Sequence, residues 1–221
     1  MHPRRWLYVM AGIWLASARV ASADVFRIDQ SVLEPAANGA VTIGHAPGGF
    51  CCYVTTQVFT AGVTAPLAAI SVDIQGLQGA PLRLAITPVL GAPGGIGLPD
   101  LSTVLAEMFI PGGSASIDTI IPLPQPFRQT QGQRYAIAAS YPTAGPLPPN
   151  LPGSGFWRRT SVDIYPGGEP LVTTIDGGWI RQLGTDARFR TFVEAPPVPE
   201  PGTLLLVSGA LVLALRKRAC G

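Results

Sequence analysis

Charge is scarce in this 221-residue chain: Asp, Glu, Lys and Arg make up 13% of it, and the only lysine is Lys217, close to the C-terminus. Histidine is confined to His2 and His45, and cysteine to Cys51, Cys52 and Cys220. With no second histidine beside His45 and no C-x-x-C pair, the usual donor sets for zinc are missing. A Ser-His-Asp site is arithmetically possible, but no serine sits in a strand-turn-helix nucleophile motif. His45, in "IGHAPGG", reads as a solvated loop residue. "GAPGGIG" (Gly91 to Gly97) lacks the Lys-Ser/Thr of a phosphate loop and reads as a plain hairpin connection. No two carboxylates have a spacing that demands an acid–base pair. The expectation is therefore a protein that is not an enzyme. Helical apolar spacing over any long stretch is also missing, as is an internal repeat of fixed period.

Hydrophobic runs occur at the two ends. At the start, Arg4 and Arg5 precede an apolar run from Trp6 to Ala18, and Ala21-Ser22-Ala23 forms a small-x-small cleavage site. Residues 1–23 are expected to be a signal peptide, removed by signal peptidase to leave Asp24 first. A permanent anchor or a buried first helix is the competing reading, and the run is short for either. At the other end, Thr203 to Leu215 carries no charge. At about 1.5 Å per residue it makes roughly 20 Å of helix, against a hydrocarbon core of about 30 Å. Arg216, Lys217 and Arg218 follow as a stop-transfer cluster that belongs on the cytoplasmic side. Residues 202–218 are thus expected to form a transmembrane helix with its basic stop. Residues 194–201, "EAPPVPEP", read as a stiff extended linker.

Val198-Pro199-Glu200-Pro201, the apolar helix and the basic cluster, in that order over residues 198–221, resemble the PEP-CTERM sorting signal of Gram-negative bacteria. The resemblance implies recognition by an exosortase and cleavage near the Pro-Glu-Pro. The helix is then a transient anchor in the inner membrane, and a tether that is cut need not match the bilayer as a permanent span does. It implies export, with a final location at the cell surface or in an extracellular matrix, in bacteria that make exopolysaccharide. Six of the fifteen basic residues lie in the two end segments, leaving nine against twelve acidic residues over 24–195. A body with a balance of about −3 is poorly suited to nucleic acid, whose phosphates need a cationic surface.

The body, residues 24–193, reads as an all-β, jelly-roll-like antiparallel β-sandwich. Period-two alternation sets Ile70, Val72 and Ile74 on one face, as it does Leu82, Leu84 and Ile86; Ile117, Thr119 and Ile121; Tyr135, Ile137 and Ala139; and Phe189, Thr191 and Val193, with Arg188 and Arg190 opposite. Gly/Pro turn signals separate these segments. Asp100 to Met108 suits a helix or a strand equally, and the proline-rich stretch from Pro142 to Gly155 reads as an exposed loop. "TTQVFTAGVTAPLAAISVDI", "GQRYAIAAS", "YPGGEPLVTTIDGGW" and "DARFRTFV", in that order over residues 55–193, resemble a recurrent bacterial surface-protein domain, which implies a fold and no chemistry.

Three groups are candidate sites. Cys51-Cys52 faces an oxidising compartment; a vicinal disulfide, a reduced pair and an intermolecular bridge all remain open, the first requiring a distorted turn. Asp163, Asp176 and Asp186, in or beside turns, are weak candidates for Ca²⁺, with no D-x-D-x-D-G run among them. Trp157 and Trp179, with Phe156, Tyr141 and Tyr165, could offer ring faces to a sugar, with Arg158 or Arg159 bonding hydroxyls or uronates. Trp157, Arg158 and Tyr141 are the glycan candidates, and Trp179 reads as core. The leading expectation is an exported, exosortase-processed surface or matrix protein with a non-catalytic β-sandwich. A carbohydrate-binding module for exopolysaccharide or another glycan is the alternative, and a secreted hydrolase the third.

Overall fold

In the computed structural model the described residues are 26–33, 36–44, 51–76, 81–91, 97–111, 113–141, 155–174 and 177–196. The expected signal peptide, sorting signal, His45, Asp176 and the stretch 142–154 lie outside them, as do the side chains of Cys51 and Cys52. The described residues form fourteen strands and no helix.

The smaller main sheet runs β1 (Phe26–Val32), β14 (Phe189–Glu194), β4 (Ala65–Val72) and β9 (Ile121–Gln129). The larger runs β13 (Trp179–Arg181), β12 (Pro170–Thr174), β3 (Cys51–Thr60), β10 (Arg134–Ser140) and β6 (Leu82–Leu90), whose far edge takes both β7 (Leu98–Pro99) and β8 (Ala106–Ile110). All pairings are antiparallel. A third, short sheet joins β2 (Ala36–Ile43), β11 (Gly155–Thr160) and β5 (Ile74–Gln75).

The alternation written in the sequence builds the core. Ile70, Val72 and Phe189 from the smaller sheet meet Phe59, Leu82, Leu84, Ile86 and Ile137 from the larger, all with no exposed surface. Burying such a side chain contributes about 1.5–3 kcal/mol. Phe59 sits between Tyr135 and Phe189, with ring centroids 5.8 and 6.1 Å away. β9 is an edge strand with proline at 122, 124 and 126. Proline has no N–H for a ladder, so this edge resists pairing with a further strand.

Two expectations need correction. Ile117 to Thr119 is a turn, and the strand starts only at Ile121. Ile117 is buried nonetheless, because this turn folds over the outer face of the smaller sheet. There Ser71 Oγ donates to the Thr119 carbonyl at 2.8 Å and Arg190 Nη1 to the Ile117 carbonyl at 3.3 Å. Apolar alternation reported the burial of Ile117 but not its geometry, and Thr119, read as sharing its face, is exposed. Asp100 to Met108 splits: Asp100 accepts hydrogen bonds from the Ser102 and Thr103 hydroxyls, which closes a turn and holds its carboxyl below the usual range, and β8 begins at Ala106.

The sandwich has a polarity. In the β1–β14 ladder Phe26 stands opposite Glu194, so the first and last strands leave the domain at one end. The β3–β4 and β9–β10 turns lie at that end too, since Ala65 pairs with Gln129 and Thr60 with Arg134. At the opposite end, about 20 Å away for a six-residue strand, are Phe189, Val72 and the three-stranded sheet.

Candidate functional site

Each end carries a concave surface. At the end where the termini of the domain meet, an open cleft of about 400 Å³ is lined by Thr60, Arg134, Asp163, Tyr165, Glu169 and Arg181 among others. Its wall is the "YPGGE" turn. Gly168 is required there, since a Cβ would stand 2.1 Å from the Val58 carbonyl oxygen. Tyr165 pins the turn: its hydroxyl accepts from Thr60 N at 3.0 Å and donates to Gln30 Oε1 at 3.1 Å, and burial pushes its pKa up to about 12. Asp186, with no exposed surface, accepts from Ile164 N at 2.9 Å and Tyr165 N at 3.0 Å through Oδ2. Its Oδ1 has no partner among the described residues, and burial pushes its pKa up.

This cleft holds two carboxylates, Asp163 and Glu169, a pair that the sequence spacing did not suggest. Glu169 is tied to the guanidinium of Arg181.

At the opposite end, β11 decides what is exposed. Its burial alternates residue by residue: Gly155 and Trp157 inward, Phe156 and Arg158 outward. Trp157 has no exposed surface, packs among the core residues opposite Val41 and Ile74, and donates from Nε1 to the Arg188 carbonyl at 2.9 Å. Tyr141 is also buried in that core. Neither offers a ring face to solvent, and both expectations of a glycan platform are corrected on that ground. Trp179 is half-buried against Val58, Ala136 and Leu171.

Arg158, an outward residue of β11, helps line a shallow depression of about 390 Å³ together with Asp73, Ile74, Gln75, Ser114, Ala115 and Ser116. Phe156, 44% exposed, stands opposite Gln75 in the β11–β5 ladder. Asp73 forms an ion pair with Arg188, which also donates to the Leu33 carbonyl at 2.9 Å. Arg158 reaches Asp73 only at 3.9 Å, and its side chain is 58% exposed. Two arginines therefore face one carboxylate. The floor depends on Gly76, where a Cβ would stand 1.7 Å from the Gly113 carbonyl oxygen; two backbones cross there with no room for a side chain. Ser114 Oγ accepts from Gly76 N at 3.0 Å, which leaves its proton to donate.

Of the calcium candidates, Asp186 is committed to two amides, Asp163 is exposed in the other cleft, and Asp176 is not described. Among the described residues no three His, Cys, Asp or Glu side chains come together. The backbone of Cys51 and Cys52 opens β3, with Cys51 opposite Thr174. Gln75, Ser114 and Ser116 had no signal in the sequence beyond their positions next to turns.

No family model, no curated protein and no solved structure matches the chain.

Proposed function

We propose that this is an exported, non-catalytic surface or matrix domain, delivered by a signal peptide and released from a PEP-CTERM-like anchor by an exosortase. The observation that carries the reading is the pairing of Phe26 with Glu194. This ladder sets both ends of the domain on one side, so that anchors before β1 and after β14 can reach the same membrane by short connections. The linker from Ala195 to Pro201 reaches at most about 25 Å at about 3.6 Å per residue, which keeps the Tyr165 cleft on the membrane side and turns the Arg158 end outward. Strand order supports reading the fold as a jelly roll: β1-β14-β4-β9 against β3-β10-β6-β8, with successive strands passing between sheets except for the β6–β8 pair. In that reading β12 and β13 extend the larger sheet beyond β3.

The test is intact-mass measurement and fractionation of the full chain, expressed in a Gram-negative host with and without an exosortase. The expected product starts at Asp24 and loses its tail near Pro199–Pro201 only when the enzyme is present. A leader retained in the cytosol, or a tail retained in both hosts, would overturn the proposal. Carbohydrate binding is kept as a second reading, because one exposed ring and one weakly engaged arginine share the outward end.

A further inference from the structure

The geometry points to Phe156, Arg158, Gln75 and Ser114 as a binding site for a carboxylate-bearing sugar of an acidic polysaccharide. This inference deepens the carbohydrate reading and rests on it.

The chemistry of the four groups is complementary to one ring. An exposed phenyl face packs on the apolar face of a pyranose. A guanidinium bonds a uronate carboxylate through two parallel N–H donors. An amide and a hydroxyl serve ring hydroxyls in both directions. The strand delivers the first two on one face: residues 156 and 158 alternate outward past the buried Trp157, one strand repeat or about 7 Å apart along the backbone. β5 brings Gln75 beside Phe156, and Ser114 and Arg158 line the same depression.

Charge favours an anion over a neutral sugar. The one carboxylate in the depression, Asp73, is held by Arg188, whose side chain is only 13% exposed. Arg158 has no such close partner among the described residues, its nearest carboxylate oxygen being Asp73 Oδ1 at 3.9 Å. The depression therefore keeps an uncompensated positive charge on a domain whose overall balance is negative. A shallow, open site also suits a chain passing across it better than an enclosed small molecule. Finally, the site lies at the end away from Phe26 and Glu194, where an extended polymer has access whether or not the domain is still tethered.

The experiment titrates the full chain in detergent micelles with polygalacturonate, alginate and neutral dextran. The expected result is binding of at least one uronate polymer, weakened by salt, at an affinity about tenfold or more above that for dextran. Phe156→Ala with Arg158→Gln should reduce uronate binding about tenfold or more, while Arg27→Gln, an exposed arginine at the other end, should leave it unchanged. Circular dichroism of the double variant checks that it is folded. Failure to bind either uronate polymer overturns the inference, as does wild-type affinity in the folded double variant. Equal binding of dextran overturns the acidic preference and leaves the carbohydrate reading standing. Any of these outcomes leaves the mass-spectrometric test of export and processing unaffected.

Discussion

At the end of the sandwich where Phe26 and Glu194 meet, polar side chains turn inward; at the end closed by β2, β11 and β5, Phe156, Gln75 and Arg158 turn outward beside the nearly buried Asp73–Arg188 pair. The inward set is a bonded network. A register shift in β1 between Ile28 and Gln30 inserts Asp29, and an inserted residue re-aims its neighbours. Asp29 Oδ2 then accepts from Gly62 N at 3.2 Å and Gln129 Nε2 at 2.8 Å, while Gln30 meets the Tyr165 hydroxyl. The outward set has an apolar foundation instead. Trp157 fills the interior beneath it, and Phe156, Gln75 and Arg158 stand on the other side of the same strands. One end uses polarity to fix its turns; the other leaves polarity available because a large ring already fixes the strands.

That contrast predicts where truncation is most costly. Trp157→Ala removes the largest fully buried side chain and leaves the Arg188 carbonyl without its indole donor. The expected loss is about 3–5 kcal/mol in urea unfolding. A loss under about 1 kcal/mol would mean that the outward end is loosely attached and that the contrast is false.

Tyr165→Phe tests the other end. The ring stays, edge-on to Phe189 at 5.5 Å, but Thr60 N loses its acceptor and Gln30 its donor. An unsatisfied buried donor costs about 1–3 kcal/mol, so the midpoint should fall by less than for Trp157→Ala. A neutral result would show that water replaces the hydroxyl and that the network does not fix the "YPGGE" turn.

Much of this was legible in the sequence, and the part that was not has a physical reason. Leu82, Leu84 and Ile86, or Tyr135, Ile137 and Ala139, could be read as core because a strand has only two faces and apolar residues on one of them must be buried. The same rule separates Trp157 from Arg158: neighbours on a strand face opposite ways, so they could not share a surface. Phe156, two residues from Arg158, was the ring to expect beside it. Ile117 misled because alternation does not distinguish a strand from a turn pressed on a sheet. The bonds that hold that turn, from Ser71 and Arg190, span 48 and 73 residues of sequence. Gln75 and Ser114 meet through the crossing of Gly76 and Gly113, and a long-range backbone contact of this kind leaves no local pattern.

Asp186, buried beneath the Tyr165 turn and bonded through its backbone to Thr160 of β11, gives the fold a pH signature. Its pKa is raised above the ordinary 3.8 by burial, with the Asp163 charge adding to the effect, while the Ile164 and Tyr165 amides oppose it. The folded protein therefore holds this proton over a window in which the unfolded chain has lost it. Stability contributed by this group is greatest below 3.8 and declines as pH rises from there through the folded value. Asp186→Asn keeps an oxygen acceptor for the two amides and removes the titration. The decline should flatten in thermal midpoints measured across that range, and an unchanged profile would assign the slope to another group.

The smallest expected effect is the sharpest test of the outward end. Phe156→Ala and Arg158→Gln alter exposed side chains whose strand is already fixed by Trp157, so each should change stability by no more than about 0.5 kcal/mol. Arg188 is the contrasting case on the same depression. It is nearly buried, paired with Asp73 and bonded to the Leu33 carbonyl, so its charge is part of the fold. If Arg158→Gln proves as destabilising as truncation of a buried ion pair, about 3–5 kcal/mol, then Arg158 shares Asp73 with Arg188 as a structural cation and is not available to a ligand. A neutral Arg158→Gln beside a costly Arg188→Gln would separate the two arginines: one holds the end together, and the other is left facing solvent with Phe156.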